Sequence, residues 1–228
     1  MRAIICVPEG ANPDKVEAIR SLGAEIIEWG RDFEDAKRNA ERLAEEEGYR
    51  YIHSGNEPLL IAGVGTIGLE IMEELPDVDV IIVPVGGGSG ASGIGIAVKT
   101  INPEVEVIGV QSEGAPSVYL SWKKGSIIET ETVETFADGL ATRRAFELPL
   151  EIMREKLDDF ILVSDEEIRE AIRLYVERAH VIAEGAGAAP LAAAMKMRER
   201  LKDRKVVLDL TGKNITAEEL RAILCRGV

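Results

Sequence analysis

Residue type and spacing first suggest chemistry at Val80-Ile81-Ile82-Val83-Pro84-Val85-Gly86-Gly87-Gly88-Ser89-Gly90. An apolar run fit for a buried strand leads into four glycines and a serine, and a small-residue run of helical character follows. Glycine takes positive φ without penalty and lets backbone N–H groups close on a ligand. A strand, a glycine turn and a helix N-terminus aim several N–H donors and the positive end of the helix at one point. That arrangement is an anion site, usually one for phosphate. A tight turn packed closely on a sheet would also use glycine, but this loop holds more than packing requires. Gly88-Ser89-Gly90-Ala91-Ser92-Gly93 also fits GxGxxG, the dinucleotide pattern. That pattern wants an acidic residue about 20 positions on for a ribose hydroxyl, and the uncharged Gln111 stands there. No Gly-Lys-Ser/Thr follows, which excludes a P-loop. A cofactor with a single phosphate monoester suits the loop better.

Other reactive residue types are sparse. His53 precedes a turn and His180 lies on a helix beside Arg178 and Ala179, and no Ser-His-Asp set assembles around either. Cys6 lies in the apolar run Ala3–Val7 and reads as a small buried hydrophobe. It and Cys225 form no CxxC or Cys/His pairing, so no metal site is expected.

The elements that must position the glycine loop alternate between strand and helix signals. Apolar runs fit for strands occur at residues 3–7, 25–29, 51–52, 79–85, 105–110, 160–163 and 205–210. Asn12-Pro13 opens a helix with Val16, Ile19 and Leu22 as its apolar stripe, and Gly23 stops it. Helices are further expected over residues 33–47, 59–75 (broken by glycines), to about 99 after the loop, 115–123, 147–157, 164–180 and 185–201. Ser164-Asp165-Glu166-Glu167 and Thr216-Ala217-Glu218-Glu219 read as capping boxes. Strands separated by helices predict an α/β fold with a mainly parallel sheet flanked by helices. The turn-rich Ser54-Gly55-Asn56-Glu57-Pro58 is the expected boundary between two lobes, residues 1–57 and 58–228.

The composition is globular, at 46% hydrophobic and 30% charged over 228 residues. A net charge of −14 repels nucleic acid and anionic membrane surfaces, so neither is an expected partner. The first residues are too short an apolar run for a signal peptide or a membrane span, which predicts a cytoplasmic protein. A single glutamine beside abundant Glu, Lys and Arg hints at a thermophilic source.

With these residues in view, the chain resembles the serine/threonine dehydratase (threonine ammonia-lyase) family of fold-type II pyridoxal-phosphate enzymes. Residues 83–89 resemble the family's phosphate cup. Asn12–Ala18 resembles the start of a small-lobe helix, and Glu57–Thr66 the return into the large lobe. Glu113–Ser117, Ala137–Ala141 and Glu184–Ala188 are typical family motifs. Thr211-Gly212-Lys213-Asn214 sits where the family has a Ser-Gly-Gly-Asn-like turn. The resemblance covers essentially the whole chain and implies a tryptophan synthase beta-like fold, with part of a small lobe and most of the large cofactor-binding lobe. It further implies that Gly86, Gly87, Gly88, Ser89 and Gly90 hold the phosphate of pyridoxal 5'-phosphate. Gly139 would lie beside the ring, Glu184 near it, and the Thr211 hydroxyl at the pyridine nitrogen. A hydroxyl there leaves the nitrogen uncharged, which suits β-elimination. The implied reaction takes a small hydroxy amino acid, L-threonine or L-serine, to a 2-oxo acid and ammonia, and the implied assembly is a homodimer with Tyr119 and Trp122 as part of its surface.

The sequence also departs from the family. The family's Schiff-base lysine and a Ser-x-Gly-Asn-like segment lie upstream of the strand that begins this chain, and neither is present. Lys213 is the one lysine in a cofactor-facing turn, where a solvent or anion-partner role is favoured over a replacement Schiff base. Without the lysine the covalent anchor and the Cα base are lost, and general-base loss alone costs about 10²–10⁴ in rate. The expectations are a chain nearly inactive alone, with weakened cofactor retention and an N-terminal half supplied separately, or a non-catalytic fragment or pseudoenzyme that binds a phosphate-bearing ligand. Gln111 replaces a carboxylate that binds a divalent cation in some relatives, and an amide is a weaker ligand for a hard cation.

Overall fold

The computed structural model describes residues 2–225; the remaining end residues of the expected lobes lie outside the described residues. The chain divides into two compact units. One runs to His53 and includes Thr216–Leu220, and the other comprises Ser54–Ile215 with Arg221 onward. No described helix is long and apolar enough to cross a membrane.

In the first unit, β1 (Ile4–Val7) and β2 (Glu25–Glu28) pair in parallel, with Ile4 opposite Glu25. The crossover helix α1 (Pro13–Ser21) starts where the Asn12 side chain accepts the Asp14 N–H at 2.9 Å, with Pro13 at the first helical position. Val16 is buried as expected, but Leu22 is 87% exposed because it lies past the last turn of the helix. Helix α2 (Phe33–Glu47) runs from an Asp32 cap to Gly48, which takes the left-handed conformation at φ 69°. The expected strand at Tyr51-Ile52 does not form. These residues have no strand partner among the described residues, and the Tyr51 ring meets His53 edge-on at 5.9 Å. Cys6 is half-buried and accepts a long contact from Asn39 Nδ2 at 3.8 Å.

The second unit is built on a four-stranded parallel sheet in the order β5-β4-β3-β6. The strands are β3 (Val80–Pro84), β4 (Glu106–Ser112), β5 (Asp159–Val163) and β6 (Val206–Leu208). The expected parallel pairing is observed, in two separate sheets that are both wholly parallel. Ile81, Ile82, Val83, Val107, Ile108 and Val110 are fully buried. Each such side chain contributes about 1.5–3 kcal/mol of apolar burial, which is why these segments read as continuous apolar runs.

Helices pack over this sheet. The expected long helix at 59–75 is two, α3 (Pro58–Val64) and α4 (Thr66–Glu74), joined at Gly65. Helix α5 (Ser89–Ile101) follows the glycine loop, and Gly93 brings it against the backbone of Ile61 and Gly65. Helix α6 (Ser117–Lys124) and α7 (Glu147–Lys156) follow in the chain. Helix α8 (Asp165–Leu174) opens with the capping box, its Ser164 and Glu167 exchanging hydrogen bonds. It then passes into a π turn, Tyr175–Ala179, that stops at His180 with φ 55°. Helix α9 (Gly185–Lys196) ends before the expected Leu201, and α10 (Ala217–Leu224) closes the described chain.

Candidate cofactor-binding site

The glycine loop leaves the C-terminal end of β3 and enters α5 at Ser89. Gly88 is the residue before the helix, at φ 91°, a conformation that a side chain would strain. It offers no side-chain cap, so the first N–H groups of α5 are left for a ligand. Ser92 is the first to bond back into the helix, to the Gly88 carbonyl at 2.9 Å. A side chain on Gly88 would meet Met153 and Pro149, and one on Gly87 would meet the Phe146 ring, both from the α7 region beneath the loop. Gly90 differs, since nothing lies within 4 Å of a side-chain position there. The loop is therefore packed on one side and open at Gly90. Donors without caps, a helix start and free space suit an anion such as a phosphate monoester.

A second wall stands beside the loop. A side chain on Gly86 would run into the Gly139 carbonyl, so the loop and the 3₁₀ turn Asp138–Leu140 touch backbone to backbone. Gly139 in turn lies against Ala186 and Glu184 at the start of α9. Glu184 reaches on to the turn after β6. Its N–H donates to the Gly212 carbonyl at 3.0 Å, its Oε2 accepts the Asn214 N–H at 3.0 Å, and its side chain covers the face of Gly212. Thr211 is the residue before that glycine and is exposed. The register agrees: β6 pairs with β3 from Val80↔Val206 to Ile82↔Leu208, and Asp209 N–H continues to the Ile82 carbonyl at 3.0 Å. The two strands thus end together, one in the glycine loop and the other in the Thr211 turn. Glu184 links the Gly139 turn, the start of α9 and the residues after Thr211 around that edge.

Three residues that sequence reasoning did not assign to the site hold it in place. Thr142 Oγ1 donates to the Gly86 carbonyl at 3.3 Å and accepts Gln111 Nε2 at 3.3 Å. Asp165 accepts the Thr135 hydroxyl at 2.6 Å and the Phe136 N–H at 3.1 Å, fixing the segment that carries Gly139. Asp209 is buried, and burial pushes its carboxyl up to about 6 against the opposing pull of the Thr211 hydroxyl. The one legible signal was a carboxylate in an otherwise apolar strand run.

Gln111 is fully buried, and its Oε1 accepts the Tyr119 N–H at 3.0 Å. Both ends of its amide are thus taken by the protein. Tyr119 and Trp122 are half-buried; their rings pack on Phe160, at 5.7 and 5.9 Å, and Trp122 Nε1 donates to the Met153 carbonyl at 3.1 Å. Lys99 is held by the Asp158 carboxylate and the carbonyls of Pro103 and Val105, and Lys196 by Glu113, Glu167 and the Leu162 carbonyl. Lys213 is exposed.

A sequence model of the pyridoxal-phosphate dependent enzyme family matches residues 1–212. The chain belongs to that family. The family's cofactor is pyridoxal 5'-phosphate, and a glycine cup at a helix start fits its phosphate. Over 99% of its length the chain is 42% identical to the L-threonine ammonia-lyase of Thermotoga maritima, of which it covers 56%. Over 96% of its length it is 41% identical to the catabolic L-threonine dehydratase TdcB of Escherichia coli, of which it covers 67%. Among solved structures, maize serine racemase superposes with a TM-score of 0.89 at 32% identity, over 97% of this chain and 69% of that one. The chain thus has the fold-type II architecture of this family and spans little more than half the length of the first curated relatives it matches.

Proposed function

We propose that these residues form the phosphate- and ring-binding part of a pyridoxal-phosphate-dependent ammonia-lyase acting on hydroxy amino acids, L-threonine or L-serine. The observation that carries the reading is the convergence of the glycine loop, Gly139, Glu184 and the Thr211 turn at the C-terminal ends of β3 and β6. Roughly 40% identity to two threonine-acting enzymes supports the substrate class. In this reading the N–H groups of Gly86 to Gly90 bind the phosphate, charge-assisted by the α5 N-terminus. Gly139, packed on Ala186, lies beside the flat ring. Glu184 keeps the Thr211 turn in register, and the Thr211 hydroxyl meets the ring nitrogen. When bound, the cofactor supplies the electron sink that lets an amino acid lose its Cα proton and then its β-hydroxyl. The product is a 2-oxo acid with ammonia. The family's lysine motif has no counterpart among these 228 residues, so the reading assigns no Schiff-base lysine, and little turnover is expected from them alone. Homodimer formation is part of the same reading.

Titration with pyridoxal 5'-phosphate tests it, followed by borohydride and an assay for 2-oxo acid from L-threonine. Saturable binding that Gly90→Ala weakens supports the cup. Borohydride fixing the cofactor to one lysine would overturn the statement that these residues supply no anchor. Binding without turnover, even after a lysine-bearing N-terminal segment of a relative is added, would favour a non-catalytic phosphate-binding protein. No binding at all would refute the assignment.

A further inference from the structure

Asp209 closes the run Val206-Val207-Leu208, where every other side chain is apolar. Its N–H is fixed to the Ile82 carbonyl at 3.0 Å, beside the strand that feeds the glycine loop. The residue is only 7% exposed. Among the described residues no cationic group pairs with it; the polar side chain that acts on it is the Thr211 hydroxyl, two residues on in the chain. The titratable neighbour that faces it is Tyr175, from the π turn, whose phenol is raised first by its own burial and then by the Asp209 charge. Strand β3 presents only apolar residues from Val80 to Val83. Glu184 reaches the same turn at Asn214.

A threonine hydroxyl has one proton and two lone pairs. Beside an ionised carboxylate it must donate that proton inward, so only lone pairs face outward. Beside a protonated carboxyl it can accept inward and donate outward. We propose that Asp209 is a positioning residue for Thr211: its buried carboxyl fixes which way the hydroxyl points its proton, and so whether a bound phosphorylated pyridine meets a donor or an acceptor at its ring nitrogen. The inference rests on the reading of Thr211 given above and deepens it. Burial without an ion pair holds the Asp209 carboxyl at about 6, so both arrangements are populated within ordinary working pH.

The test uses the 228-residue chain and pyridoxine 5'-phosphate, a probe whose ring absorbs according to its protonation and which lacks an aldehyde to trap stray lysines. Carboxyl ¹³C signals of the ligand-free chain give the Asp209 ionisation midpoint. The expected result is a bound-probe spectrum that changes with pH along the Asp209 titration. Asp209→Asn and Thr211→Val should each abolish that change. Retention of the wild-type spectral titration in Asp209→Asn overturns the inference while leaving the cofactor reading intact. Failure of the wild-type chain to bind the probe overturns both. Should Asp209→Asn not fold, Thr211→Val carries the test, since removing the donor must raise the Asp209 midpoint, and an unchanged midpoint sinks the idea.

Discussion

At the scale of single residues, the site turns on where a side chain has room and where it does not. Gly86 faces the Gly139 carbonyl, and Gly90 faces open space. Gly86→Ala should therefore destabilise the fold by about 1–3 kcal/mol, the usual cost of overpacking. Gly90→Ala should leave stability within about 0.5–1 kcal/mol, the range of glycine propensity effects, while weakening phosphate binding by intruding where the ligand sits. Urea melts combined with ligand titration separate these two. Asp209 adds a linkage prediction. Its folded carboxyl titrates at about 6 against an ordinary 3.8, so the native state holds a proton that the unfolded chain releases between those values. Stability is greatest below that window, falls as pH rises through it, and is flat above. The gap between the folded and unfolded values corresponds to about 3 kcal/mol. Asp209→Asn should be more stable than the parent at pH 7 by up to that amount and should lose the slope, as melting temperatures between pH 4 and pH 7 would show.

At the scale of elements, the ends of helices and strands organise the site. The α8 capping box is partly buried. Burial acts to raise the Glu167 carboxyl, but the Ser164 N–H and the Lys196 ammonium outweigh it and hold it below the usual range. Ser164→Ala should cost about 1 kcal/mol by denaturant titration. The next residue supports the proposed site more directly. Asp165 begins α8 and accepts hydrogen bonds from Thr135, Ser112 and the Phe136 backbone, which locks the segment leading to Gly139. Asp165→Ala should cost about 2–3 kcal/mol, because several donors lose a charged acceptor at once. It should also weaken ligand binding more than Ser164→Ala does, a difference that calorimetric titration of the two variants would reveal.

At the scale of the whole molecule, burial is concentrated in the second unit. Strands β3 and β4 are buried along nearly their whole length, whereas β1 and β2 form a two-stranded sheet with exposed or half-buried residues. Small sheets with little buried apolar surface open most readily. Amide hydrogen exchange should therefore be slowest at residues 80–83 and 107–111 and fastest among the strand amides of Ile4–Val7 and Glu25–Glu28. Equal protection in both units would contradict this.

Local chemistry alone determined much of this protein. Continuous apolar runs marked the β3 and β4 strands because strands buried on both faces admit little else. Asn12, Ser164 and Gly23 marked helix ends because backbone groups there need a partner or a left-handed residue. The glycine loop suggested the proposed anion site for the same local reason. Only the tertiary structure decided what depends on the neighbours of a side chain. Tyr51-Ile52 has strand-forming residues but, among the described residues, no strand beside it to pair with. Leu22 has the right period but lies beyond the helix that would have turned it inward. Gly93 fits a nucleotide pattern, yet it lets α5 approach the Ile61 and Gly65 backbone. Gln111, Thr142, Asp165 and Asp209 are ordinary polar residues in sequence. They gained their roles from partners distant along the chain or from burial beneath a turn, because hydrogen-bond partners and desolvation are properties of the folded chain.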